Sequence, residues 1–79
     1  MTNIEKYKKT FASSLSVEIN VVKENLEYNG IPEWDSIGHM TLMSGLEEAF
    51  NISIETDDIV DFSSYKEGLK ILQKYKVKF

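Results

Sequence analysis

The residue on which chemistry can be hung in this chain is Ser36. It follows Asp35 in the stretch Trp34-Asp35-Ser36-Ile37, directly ahead of the run Gly38-His39-Met40-Thr41-Leu42-Met43-Ser44-Gly45-Leu46-Glu47-Glu48-Ala49-Phe50. The pair lies where a loop containing Pro32 gives way to an amphipathic helix. Asp35 is suited to cap that helix, which leaves Ser36 at the first helical position with its hydroxyl in solvent. Beneath it lie unpaired amides and the positive end of the helix dipole, a setting that favours a phosphate group.

Other chemistry lacks parts. His39 is the single histidine. It shares a helix face with Ser36, three residues earlier. A working Ser-His pair also needs an orienting acid and an oxyanion hole in a concave pocket. Catalysis is therefore not expected, and His39 is expected to pack at the helix start against Trp34, as a staple between the residue before the cap and the fourth helical position. The acids Glu55, Asp57, Asp58 and Asp61 lack the spacing and the glycine of a calcium loop. They read as a solvated helix start that a partner recognises, not as a metal site. With no cysteine the chain has neither a disulfide nor a thiolate.

The elements that position Ser36 follow from periodicity. Thr2 and Glu5 form a capping box for a helix through about Leu15, with Ile4, Tyr7, Phe11 and Leu15 on its apolar stripe. From Ser16 to Asp35 the turn residues Asn20, Asn25, Asn29, Gly30 and Pro32 mark a long loop. Ile19, Val22, Leu26, Tyr28 and Ile31 are its expected anchors. The second helix is expected over Ser36–Phe50, with Leu42, Met43, Leu46 and Phe50 inward and Ile37 and Met40 on another face beside Thr41 and Ser44. Ile52 and Ile54 read as an extended linker. Thr56 is expected to cap a short helical turn whose dipole Asp57 and Asp58 complement. Ser64 and Glu67 cap a last helix to about Tyr75, with Tyr65, Leu69 and Leu72 inward. The expected fold is all-α, a small four-helix bundle of three main helices and one short one behind a long first loop.

At 79 residues the chain reads as a single domain, residues 1–79. A domain of this size buries only about 60% of its unfolded surface. Glu18 to Asp61 holds eleven acids against Lys23 alone, while the remaining lysines lie toward the two ends. An acidic middle repels phosphate backbones and attracts basic proteins. All nine basic residues are lysine, so the bidentate arginine contacts of nucleic-acid readers are missing. Nucleic acid is not an expected partner. No run of eighteen apolar residues and no basic-then-apolar leader is present, which sets the expectation of a cytoplasmic protein without membrane insertion.

Asp35-Ser36-Ile37, Leu42 six residues after the serine, and Leu46-Glu47-Glu48-Ala49-Phe50 together resemble the second helix of acyl carrier proteins. The resemblance continues through Ile52, Ile54, the acidic turn Asp57-Asp58-Ile59 and the last helix, and is looser before Pro32. It implies a bundle of acyl-carrier type in which Ser36 carries 4'-phosphopantetheine, attached from coenzyme A by a phosphopantetheinyl transferase. The arm supplies the thiol this chain lacks, and cargo rides on it as a thioester. Asp35 matches the position that presents the serine to the transferase. Ile37, Met40, Glu47 and Glu48 match the surface that meets basic patches on acyl-loading and acyl-accepting enzymes, and the acidic Asp57 and Asp58 extend the expected partner surface. Leu42, Leu46, Phe50, Ile54, Ile59 and Phe62 match a core that shelters short acyl chains. The same positions also serve as ordinary core.

Glu33-Trp34 replaces the Gly-Ala or Gly-Leu that usually precedes Asp-Ser in carriers of fatty-acid synthesis, and His39, Met40, Thr41 and Met43 leave the second helix less acidic. This version is more similar to specialised carriers of lipid, polyketide or surface-polysaccharide biosynthesis than to the housekeeping one. Two other readings stay open: an aminoacyl, D-alanyl or peptidyl carrier, and an unmodified helical adaptor that binds a basic protein. In each, the chain is expected to be a monomer.

Overall fold

The computed structural model describes residues 2–79, and among them it is all-helical with no strand. Four helices run in the order α1 (Asn3–Leu15), α2 (Ser36–Phe50), α3 (Thr56–Asp61) and α4 (Tyr65–Lys74), with a 3-10 turn at Ile19–Val21 inside the first loop. The body measures 29 × 28 × 20 Å.

Local chemistry sets the helix ends. Thr2 Oγ1 accepts from the Glu5 amide at 3.2 Å and Ser64 Oγ from the Glu67 amide at 3.0 Å, as their spacing predicts. Three helices stop in one way. Ser16, Asn51 and Lys76 each turn left-handed, at φ 57, 55 and 69°. The next amide then reaches back to the last turn: Val17 to the Ala12 carbonyl, Ile52 to Glu47 and Val77 to Leu72. Those three apolar residues also pack against the core, which adds burial to each stop.

α1 and α2 enclose a core that is largely aromatic. Tyr7, Phe11, Trp34, Leu42, Leu46, Phe62, Tyr65 and Leu72 are each 1% exposed or less. Phe11 is the hub: Tyr7 and Trp34 meet its ring edge-on at centroid distances of 5.3 and 5.0 Å. The Tyr7 hydroxyl is satisfied inside the core by the Tyr65 carbonyl at 2.8 Å, and burial pushes that phenol well above its ordinary pKa.

Three expectations need correction. In the first loop Val22 and Leu26 are buried as anchors, but the 3-10 turn leaves Ile19 half exposed, and Tyr28 lies at the surface. The loop is held instead through its backbone: Tyr28 donates to the Ser63 carbonyl and Tyr65 donates to that of Leu26, each at 2.9 Å. α3 has its cap position at Glu55, with no side-chain cap bond, not at Thr56. The Glu55 amide is occupied by the Tyr75 hydroxyl at 2.9 Å while Glu55 stays extended, so the helix begins at Thr56, one position earlier than expected. In α4, Gly68 and Ile71 are buried while Leu69 is only partly so. That helix ends at Lys74 with Tyr75 as its cap, as expected.

Candidate functional site

The start of α2 is built by three neighbours in sequence. Asp35 caps it, its Oδ1 accepting from the Gly38 amide at 2.8 Å. Ser36 is then the first helical residue, and it is exposed. Gly38 permits the geometry, because a Cβ there would collide with the Glu33 carbonyl oxygen of the incoming loop. The loop therefore lies directly against the first turn and fixes where Asp35 and Ser36 sit.

Trp34 and His39 lock the same turn from inside. Their rings lie near-parallel, 6.1 Å apart with 23° between planes, in the staple expected from their spacing. The indole Nε1 also donates to His39 Nδ1 at 2.9 Å. Since an indole N–H only donates, Nδ1 is the acceptor, and the imidazole proton resides on Nε2. Nε2 gives it to the Ile59 carbonyl at 2.8 Å, tying α2 to α3. Both ring nitrogens are thus committed to structure. The partner of Ser36 Oγ is the Tyr28 hydroxyl at 3.1 Å, which sequence reasoning placed only as a loop anchor.

The remaining site residues divide by environment. Ile37 and Met40 are 79% and 54% exposed. They share one stripe with the exposed Thr41, Ser44 and Glu48, so α2 presents a mixed apolar and acidic face beginning at Ser36. Glu47 lies to the side, half-buried, and its Oε2 accepts from the Ile54 amide at 2.8 Å. Asp57 is exposed, and the neighbouring Val60 adds an exposed apolar residue on α3 that the sequence did not single out.

Asp58 departs from its expected place on a partner surface. It is buried between Lys74 Nζ and the Tyr75 hydroxyl, each 2.5 Å from one carboxylate oxygen, and so clamps α3 to α4. The bonds from Lys74 and then Tyr75 hold its carboxyl below the ordinary value of 3.8. The same bonds raise Lys74 and Tyr75 above their ordinary values. A lowered carboxyl stabilises the fold above the unfolded pKa and loses that contribution as pH falls through the folded one. Raised Tyr75 gives the mirror image, lost as pH rises through its folded value. Asp58→Asn is therefore expected to lower the denaturation midpoint at pH 7 and to flatten the loss of stability below about pH 4. Denaturant titrations of both proteins from pH 7 to pH 2 test this, and parallel acid profiles would contradict it.

The six residues expected to line an acyl pocket are mostly core. Leu42, Leu46, Ile54 and Phe62 are at most 6% exposed. Phe50 and Ile59 are partly buried. Of the six, Ile59 and Phe62 line a hollow of about 250 Å³ with Tyr28, His39, Val60 and Ser63, beside the start of α2. No group of three or more metal-ligating side chains forms among the described residues. None of the helices described is long and apolar enough to cross a membrane. No model of a known protein family matches the chain, and no curated protein matches it significantly.

Proposed function

We propose that this chain is a carrier protein, with Ser36 bearing a 4'-phosphopantetheine arm on which acyl groups travel as thioesters between enzymes in the cytoplasm. The observation that carries the reading is the placement of Ser36: exposed, first in a helix of 15 residues, with Asp35 taking the cap in its stead. An uncapped serine hydroxyl at that position is sterically open to a transferase. A phosphodiester formed there gains from the helix dipole by roughly 0.3–1 kcal/mol. In the transfer, Ser36 Oγ bonds to the phosphorus that bears the pantetheine of coenzyme A. The pyrophosphate bond breaks, and adenosine 3',5'-bisphosphate leaves as the serine proton passes to the transferase.

The exposed face of α2 supports the second half of the reading. Ile37 and Met40 offer apolar contact beside the arm, and Glu48 and Asp57 offer charge to basic patches on loading and accepting enzymes. Asp58 takes no part in that docking, since it is committed to Lys74 and Tyr75. Any shelter for cargo is confined to the hollow beside Ile59 and Phe62, because the deeper positions are filled. The resemblance of Ile31 to Met40 to specialised carriers supports a role other than housekeeping fatty-acid synthesis. The chain acts as a monomer and as the substrate of other enzymes.

The absence of cysteine makes the test clean. After incubation with coenzyme A and a broad-specificity phosphopantetheinyl transferase, a thiol-specific reagent is expected to label one thiol per chain. Ser36→Ala is expected to label none. Labelling of the variant equal to wild type, or none in either, would overturn the reading.

A further inference from the structure

We infer that Tyr28 is the positioning residue of the Ser36 site, holding Oγ before modification and donating its phenol proton to the phosphodiester afterwards. The inference rests on the carrier reading above. Its basis is the 3.1 Å contact between the Tyr28 hydroxyl and Ser36 Oγ, and the way the tyrosine is fixed.

A tyrosine on a surface loop ordinarily leaves its hydroxyl to water. This one is held from three sides. Its amide donates to the Ser63 carbonyl at 2.9 Å, in the bridge that ties the first loop to the entrance of α4. The next residue, Asn29, turns left-handed at φ 65° and donates to the Trp34 carbonyl at 3.0 Å, closing the loop onto the residue before the cap. The ring stands edge-on to His39 at 5.4 Å and to Trp34 at 6.1 Å. His39 and Trp34 are themselves locked to each other and to α3. The hydroxyl is therefore delivered to Ser36 by groups that cannot easily move, as a functional contact requires.

Modification decides the direction of the bond. In the free protein either oxygen can donate. Once Oγ becomes a phosphate ester it has no proton, so only Tyr28 can donate, to the ester oxygen or to a charged phosphate oxygen. A bond to the charged oxygen is roughly twice as strong as a neutral one. Tyr28 also lines the hollow that reaches His39, Ile59, Val60, Phe62 and Ser63. The side chain that reaches Ser36 Oγ thus also borders this hollow.

Tyr28→Phe removes the hydroxyl and keeps the ring. Its thermal midpoint is expected to stay near that of wild type, since the lost bond is exposed. Transfer to the variant is expected to slow by roughly 2- to 10-fold in kcat/KM, the range of one neutral hydrogen bond. The ³¹P resonance of the modified variant is expected to move toward that of the phosphodiester in free phosphopantetheinyl-serine. If the wild type is modified and the variant keeps its ³¹P shift, the inference fails alone, whatever the rate does. A slower rate with an unmoved shift would mean that Tyr28 touches the transferase instead. If the wild type is not modified, the carrier reading and this inference fall together.

Discussion

Trp34→Ala is expected to lose about 3–5 kcal/mol, the range for truncating a large buried aromatic. Trp34 is fully buried, edge-on to Phe11 and Phe62 and hydrogen-bonded to His39. Its removal also strips the part-buried His39 Nδ1 of its donor, which adds to the loss. Domains hold roughly 0.05–0.15 kcal/mol per residue, so a chain of this length has about 4–12 kcal/mol in all. The variant is thus expected to be partly or wholly unfolded at 25 °C. Trp34→Phe, which keeps a ring and loses the bond, is expected to fall between it and wild type. Because Trp34 is the single tryptophan, unfolding should be followed by far-ultraviolet circular dichroism. A loss under about 1 kcal/mol for the alanine variant would show that the staple does not hold the start of α2.

Gly68→Ala sets two effects of opposite sign against each other. Glycine inside a helix costs about 1 kcal/mol relative to alanine, so propensity alone predicts a gain. In the structure a Cβ on Gly68 would collide with the Phe62 ring and the Tyr7 hydroxyl. Both side chains are buried, and the hydroxyl is pinned to the Tyr65 carbonyl, so neither can swing away. Overpacking of this kind costs about 1–3 kcal/mol or more, and here it exceeds the helical gain. The expected result is a net loss of roughly 2 kcal/mol, or a fall of about 8–16 °C in thermal midpoint for a domain of this size. An alanine variant more stable than wild type would contradict the packing described for α4.

The contrast between these sites shows what the sequence could convey. α2 was legible to the residue because its signals are local: a cap at Asp35, a staple from Trp34 to His39, and an apolar stripe with Ile37 and Met40 outside it. α1 and the start of α4 were legible for the same reason, through Thr2 with Glu5 and Ser64 with Glu67. Asp58 was misplaced because its partners, Lys74 at the end of α4 and Tyr75 just after it, lie 16 and 17 residues away. Nothing in the acidic run Asp57-Asp58 distinguishes the exposed acid from the clamped one. Gly68 carries no hydrophobic signal, so a stripe read from large residues assigned Leu69 inward and missed both Gly68 and Ile71. Tyr28 reads as an anchor by composition. Only the pairing of the first loop with Ser63 and Tyr65 swings its hydroxyl to Ser36.

Carrier function would depend on a single atom, Ser36 Oγ. The most direct measurement is fragmentation mass spectrometry of the protein after treatment with coenzyme A and phosphopantetheinyl transferase. The predicted result is one added phosphopantetheine per chain, retained on the fragment that holds Ser36 and absent from Ser36→Ala. A chain that gains no mass, or gains it on any other residue, would contradict the carrier function proposed for Ser36.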